Sequence, residues 1–377
     1  MKKKARRIIK RTMIVALILI ATLAVATLLF LQQAQFGKKP TGARLEAIQN
    51  SPNYKDGQFQ NLSPTPNFAE DHSMPAVMWE FLFGKSSRAK PVDLIPSVKT
   101  NLHNLPPDSN VLVWFGHSSY FMQVDGLRFL VDPVFSGNAS PVPGSMKAFK
   151  GTDRYTVADL PTIDYLLITH DHYDHLDHKS IIALKEKTSK VICGLGVGAH
   201  LEHWGYVPDN IIEKDWYQRV ELNSTITLFT EPARHFSGRG LSRNNTLWLS
   251  FVLQTPNTKI FIGGDSGYDT HYTDIGKRHG SFDLAILENG QYNKAWPYIH
   301  HQPEEVLKAA QDLKAKRVLP VHSSKFSLAL HAWDEPLARI SELNSSYQIP
   351  LVTPIIGELV NLDNASQQFT PWWVGLE

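Results

Sequence analysis

Residues 168–178 read Ile-Thr-His-Asp-His-Tyr-Asp-His-Leu-Asp-His, and four side chains able to ligate a metal fall within six positions: His170, His172, Asp174 and His175. Imidazole and carboxylate together suit zinc and similar first-row ions. In extended backbone, His170 and His172 point the same way. Asp174 and His175 lie in the turn that follows and can reach a second ion. The run 163–169 leading in reads as strand and 179–187 leading out reads as helix, so the cluster occupies a strand-to-helix turn where side chains converge. The bland alternative, a solvated polar turn, fits so dense a mixture of His and Asp poorly.

Three more candidate ligands share that address. His235 follows a strand-like run at 225–230, Asp265 follows 259–262, and His322 follows 317–321. A single histidine behind a strand is more often structural; the case rests on all of them standing at strand carboxyl ends. If those ends lie on one edge, seven ligands meet, enough for two metals that each keep an open position for water. Gly263 and Gly264 would let the backbone before Asp265 approach closely. Cys193 is the only cysteine, so neither a disulfide nor a thiolate zinc site is available within the chain.

The elements that must position these residues are short. Runs at 111–115, 119–124 and 128–131, separated by Gly-containing turns, predict an antiparallel meander. Further strands are expected at 190–193, 219–222, 225–230, 247–253, 259–262, 283–287 and 317–321, with helices at 178–187, 198–204, 303–315 and 334–344. Pro303-Glu-Glu opens the third helix well, with proline in the first turn and acids at the positive dipole end. The alternation suggests an α/β (α+β) domain of two sheets, each covered on its outer face by helices. Residues 141–160 read as loop, and 74–83 as a helix whose apolar side is Met78, Trp79, Phe81 and Leu82.

The amino terminus is of another kind. Lys2, Lys3, Lys4, Arg6, Arg7, Lys10 and Arg11 come before any acid, and residues 13–31 contain only apolar residues, Ala and Thr. Those 19 residues are close to the roughly 20 that a helix needs to cross a bilayer. The basic excess in front predicts a cytoplasmic tail at 1–12, a transmembrane anchor at 13–31, and everything beyond on the outer, extracytoplasmic side. An uncleaved anchor is expected rather than a signal peptide, since the apolar run exceeds the usual length and Ala24-Val-Ala26 lies inside it. Residues 32–66 read as a tether that becomes an extension on the main domain, and 67–377 as that domain. Without the first eleven residues the chain carries 31 basic against 36 acidic side chains. A mildly acidic body argues against a nucleic-acid partner.

The cluster His170-Asp-His-Tyr-Asp-His175 resembles the His-x-His-x-Asp-His signature of the metallo-β-lactamase fold, a superfamily of αββα hydrolases. Between about 59 and 351 the chain is similar to the branch of N-acyl-phosphatidylethanolamine-hydrolysing phospholipase D and its bacterial relatives. The markers include Trp114-Phe-Gly-His117, Leu130-Val-Asp-Pro-Val-Phe-Ser136, Pro232-Ala-Arg-His-Phe236, Gly263-Gly-Asp-Ser-Gly-Tyr268 and His301-Gln-Pro-Glu-Glu305. The resemblance implies a four-layer αββα sandwich holding two zinc ions, with iron or manganese as substitutes. His170, His172 and His235 would hold the first, Asp174, His175 and His322 the second, and Asp265 would bridge them. It further implies that His301 stands near the reacting centre as proton donor or phosphoryl contact, that Tyr268 flanks the substrate, and that Asp132 and His117 support the ligands. Two ions about 3.5–4 Å apart lower the pKa of a shared water from ~16 towards ~7.

The expected function is therefore a membrane-anchored phosphodiesterase of phospholipase D type, acting on N-acyl-phosphatidylethanolamine-like lipids through a hydroxide between the metals. A lactonase or β-lactamase acting on a small carbonyl substrate needs the same ligands. A non-catalytic metal-binding envelope protein is the remaining alternative. A nuclease of the superfamily would need a large insertion, and spacings of 30 residues from His235 to Asp265 and 57 from Asp265 to His322 leave no room for one. Residues 288–300 depart from the lipid-hydrolysing pattern. Arg234, Arg239 and Arg243 could attract a phosphodiester or could simply lie on a solvated loop.

Overall fold

The computed structural model describes residues 2–377, with side chains from residue 4 onwards. Helix α1 (Lys2–Leu31) is exposed from residue 4 to residue 29, and its apolar part is long enough to cross a membrane. The extension that follows is ordered: α2 (Gly42–Gln49), a small hairpin of β1 (Tyr54–Lys55) and β2 (Gln58–Phe59), then α3 (Met74–Phe83). It is tied down rather than draped. Ile48 and Phe59 are buried, Arg44 pairs with Glu213 and Glu202, and Asn53 donates to Asp215 at 2.7 Å.

The first sheet holds β3 (Val111–Trp114), β4 (Tyr120–Val124), β5 (Leu127–Val131) and β6 (Ile163–Ile168). After α4 (His178–Leu184) come β7 (Thr188–Gly194), α5 (Gly198–His203) and β8 (Ile211–Lys214). The second holds β9 (Gln218–Glu221), β10 (Thr227–Glu231), β11 (Ser250–Gln254), β12 (Lys259–Ile262), β13 (Leu284–Glu288) and β14 (Val318–Val321). Helices α6 (His271–Arg278) and α7 (Pro303–Asp312) fall between its later strands, and α8 (Glu335–Leu343) follows. A last strand, β15 (Leu359–Asn361), returns to the first sheet beside β3. The orders are β15-β3-β4-β5-β6-β7-β8 and β14-β13-β12-β11-β10-β9.

Period-two alternation builds the layers. Leu112, Trp114 and Met122 meet Leu228, Phe251, Leu253 and Ile286 between the sheets. Val113, Phe121, Leu130 and Val191 turn outward under Ile181, Leu184 and Leu201 of α4 and α5. Val252, Phe261 and Ala285 turn outward under Tyr272, Val306 and Ile340 of α6, α7 and α8. This is the four-layer αββα sandwich, with the meander β3-β4-β5 as expected.

Some expectations need correction. The strand expected at 247–253 starts at Ser250, because Leu247 and Leu249 donate across to Leu195 and Thr169 of the other half. Helices α2 and α6 and strands β1, β2, β8 and β15 are additions to the expected elements. On α3 the apolar side is rotated: Val77 is buried, whereas Met78, Trp79 and Leu82 are exposed.

Candidate metal centre

Strands β5, β6 and β7 are parallel, as are β12, β13 and β14. β10 runs with β12, since β11 is antiparallel to both. The residues after β5, β6, β10, β12, β13 and β14 therefore reach one edge. There the ring nitrogens of His170, His172 and His235 gather as one group, His117, Asp174, His175 and His322 as a second, and Asp265 stands with His170 and His175. Asp265 Oδ2 is 3.2 Å from His175 Nε2 and 3.8 Å from His235 Nε2, and its Oδ1 is 3.1 Å from His322 Nδ1. One carboxylate thus lies between both groups. Its approach requires Gly264, at φ +62°, where a Cβ would come within 2.8 Å of Thr169 Cβ.

The turns carrying these residues are held in costly backbone. His117, Asp132 and His322 have φ of +54°, +41° and +67°. Left-handed conformations of non-glycine residues cost on the order of 1–3 kcal/mol each and persist where surroundings over-determine them. Asp132 shows how: its carboxylate accepts from Thr169 N at 2.9 Å, Thr169 Oγ1 at 2.6 Å and His175 Nδ1 at 2.8 Å. His117 Nε2 lies 2.9 Å from Asp174 Oδ2, and Ser118 Oγ 2.9 Å from His322 Nδ1. His117 and Asp132 orient ligands from behind, as outer partners of metal sites do.

Do these residues suit a cation? Thr169 Oγ1 spends its hydrogen on Asp132, so it accepts from His170 Nδ1–H. His235 Nδ1–H donates to Ile299 O at 2.8 Å. Both Nε2 atoms are then lone-pair acceptors, and they face His172 Nδ1 at 2.9 and 3.2 Å. Burial holds His170 and His235 well below the usual imidazole pKa and brings His172 down to about 4. Neutral nitrogens crowded together call for a shared positive ion. In the other group His175 Nε2 and Asp265 Oδ1 are buried without a hydrogen bond. The donor set fits divalent metal binding.

The cleft above has a volume of about 470 Å³, within the range of small-molecule sites. Its floor is His172, Asp174, His235, Asp265, His300 and His322, and its walls are largely apolar, including Phe68, Val77, Phe81, Phe236, Trp296 and Ile299. Arg243 is at the mouth, its guanidinium 4.5 Å from the Phe236 ring and bonded to Asn67 Oδ1 at 3.0 Å. The other two arginines are structural. Arg239 is buried and donates to the carbonyls of Gln35, Asp171 and Leu176, while Arg234 donates to Thr65 Oγ1 and Pro64 O.

The structure gathers all seven metal-ligand candidates but does not bring His301 or Tyr268 to the cleft. His301 is buried against Tyr272, with its backbone N–H on Glu288 Oε1 at 2.7 Å. Tyr268 stacks on Tyr272 and donates to Asp312. The neighbour His300 faces the cleft instead, its ring 5.1 Å from that of His235 and 5.2 Å from that of His322. Its Nδ1 is 2.7 Å from Glu288 Oε2. Burial raises the Glu288 carboxyl well above its usual range and lowers His300, so the pair is held neutral around one proton. In sequence, His300-His301 offered two adjacent choices, and only the backbone path decides which one turns inward. Glu288 ends β13 and had the same strand-end signal as the ligands.

A family model described as the β-lactamase superfamily domain matches residues 127–323. An uncharacterised protein of Mycobacterium tuberculosis is 39% identical over 339 residues, covering 88% of this chain and 90% of that one. N-acyl-phosphatidylethanolamine-hydrolyzing phospholipase D 1 of Caenorhabditis elegans is 27% identical over 285 residues, covering 65% and 79%. Among solved structures, a metallo hydrolase of Ignicoccus hospitalis superposes with a TM-score of 0.52 at 19% identity, over 67% of this chain and 97% of that one.

Proposed function

The chain belongs to the metallo-β-lactamase superfamily and is a metal-dependent hydrolase of it; from that premise we propose a phosphodiesterase of phospholipase D type that acts on N-acyl-phosphatidylethanolamine-like lipids. The observation that carries this reading is the apolar-walled cleft that descends to the two ligand groups. A small polar substrate would not need Phe68, Phe81, Phe236 and Trp296 around it. The similarity to the nematode enzyme points the same way.

His170, His172 and His235 would hold one zinc, Asp174, His175 and His322 the other, with Asp265 shared. When bound, such ions supply Lewis acidity and lower the pKa of water. The remaining work falls to the chain itself. The walls exclude water from the lipid and fix its axis. Arg243 has no carboxylate within ion-pair distance among the described residues, so its charge is free for a phosphodiester oxygen at the mouth. This favours phosphorus over a carbonyl as the centre attacked. The Glu288–His300 pair holds one proton between carboxyl and imidazole, and His300, on the cleft floor, would pass a proton to the departing oxygen with Glu288 behind it to replace it. This assigns to His300 the role that the family resemblance implied for His301. Helix α1 would anchor the enzyme, with residues 32–377 on the extracytoplasmic side as the basic residues before it dictate.

The test is a substrate panel for the full-length protein after metal analysis by mass spectrometry: an N-acyl-phosphatidylethanolamine, a long-chain lactone and a chromogenic β-lactam. Release of phosphatidic acid supports the reading. Turnover of only the lactone or the lactam overturns it in favour of a carbonyl hydrolase. Metal analysis returning iron or manganese would replace zinc.

A further inference from the structure

Helix α3 carries more apolar surface than a cleft wall requires. Trp79, Leu82 and Phe83 are 67, 69 and 68% exposed. Their spacing of three and four residues puts them on one stripe. The rings of Trp79 and Phe83 are 4.4 Å apart, while Val77 and Phe81 pack on the other side with Trp296. An exposed apolar patch of this kind on a folded body marks a contact site.

The position of the stripe says what covers it. Phe236 and Arg243 line the same cleft as α3, and the loop between them carries Leu241, which is 86% exposed. Leu241 lies along the last turns of α1, beside Leu28 and Leu31. Leu241 is five positions beyond Phe236, a reach of at most ~18 Å. The exit of α1, the tip of this loop and the cleft mouth with α3 therefore share one side of the molecule. Cations fringe it. Lys38 and Lys39 line a cavity between the foot of α1 and Leu241, and Lys85 follows α3, its Nζ 5.6 Å from the Phe81 ring. Aromatic and aliphatic side chains ringed by lysines are what a membrane interface takes up, with anionic headgroups meeting the cations.

We propose that the α3 stripe and Leu241 seat on the same bilayer that receives α1, so that the cleft opens onto the lipid surface and is filled from it. The seating follows from surface chemistry alone, whereas filling from the bilayer rests on the lipid reading above.

Full-length protein in vesicles of phosphatidylethanolamine and phosphatidylglycerol tests the two parts separately. A nitroxide is placed at Leu82→Cys, at Leu241→Cys, or at Glu221→Cys on the sheet edge away from the cleft; the native Cys193 is buried and stays unlabelled. Labels at 82 and 241 are expected to collide more with oxygen and less with a soluble nickel chelate than the label at 221. Equal accessibility at all three sites overturns the seating. So does protection from both reagents, which would mean that a protein covers the stripe. The double variant Leu82→Glu with Phe83→Glu, neither of which lines the cleft, should lose about tenfold or more in hydrolysis of vesicle lipid. Its hydrolysis of bis(4-nitrophenyl) phosphate in detergent should match wild type. Unchanged vesicle activity would overturn filling from the bilayer. If wild type cleaves no lipid at all, the substrate reading falls and the nitroxide result still decides the seating.

Discussion

The two halves of the ligand cradle solve one problem differently. The half made by His170, His172 and His235 is all imidazole, and its nitrogens are driven neutral by burial. The half made by Asp174, His175 and His322 includes a carboxylate. Burial opposes charge on His175, yet Asp265, Asp174 and Asp132 around it hold its pKa well above the imidazole range. Burial likewise opposes charge on Asp174, which His175 and His117 nevertheless keep ionised. The carboxylates of the second half therefore favour positive charge at His175. The first half has none. The lesson is that two adjacent sites on one sheet edge can differ in what they must release before an ion enters.

The sharpest way to break this comparison is to remove what the halves share. Asp265→Ala should release both ions and lower hydrolysis by on the order of 10³-fold or more, read as metal content alongside kcat. Retention of both ions would show that the carboxylate is not common to them. Next, His300→Gln should lower kcat by about 10²-fold with metal content unchanged, whereas His301→Gln should leave kcat as it is. The reverse result would put the resemblance-based assignment of His301 back in place.

The halves should also separate by pH. His175 has a raised pKa, so a metal must expel a proton from it, and affinity at the second half should fall about tenfold per pH unit on acidification. The first half is already neutral down to about pH 4 at His172, so its affinity should stay flat between pH 8 and 6. Competition titration with a chelator at several pH values reads both slopes, and equal slopes would erase the distinction. Support from behind is the next lever. Asp132→Asn should weaken the second ion by about 10–100-fold, with the first ion less affected. Smallest is Asn61→Ala. It removes the clamp on the backbone of His235, whose N–H and C=O bond Asn61 at 3.1 and 2.8 Å. A change of about threefold in the first ion's affinity is expected from so indirect a contact.

Much of this centre is legible in the sequence. The spacing within 170–175 announces metal binding, because a strand passing into a turn allows few other uses for so many donors. Asp265, His235 and His322 join them because each stands just beyond a strand, and parallel strands deliver their ends to one edge. The strands are readable from β-branched and aromatic runs, and α7 from Pro303 and its acids. Asn61 is not legible, since a lone polar residue far from any strand end gives no sign of its partner, and the strand-end position of Glu288 does not by itself announce the pairing with His300. The outer face of α3 misleads, because an apolar stripe is ordinarily buried and this one faces outward.

By itself, then, the sequence determined the metal chemistry, the two-sheet architecture and the apolar helix at the amino terminus. These depend on composition and local periodicity, which short segments carry unaided. Only the tertiary structure decided that His300 and not His301 turns to the cleft, that α3 and Phe236 form its walls, and that Leu241 lies against the last turns of α1. Such choices are made by backbone direction between distant segments, and no window of local sequence contains them.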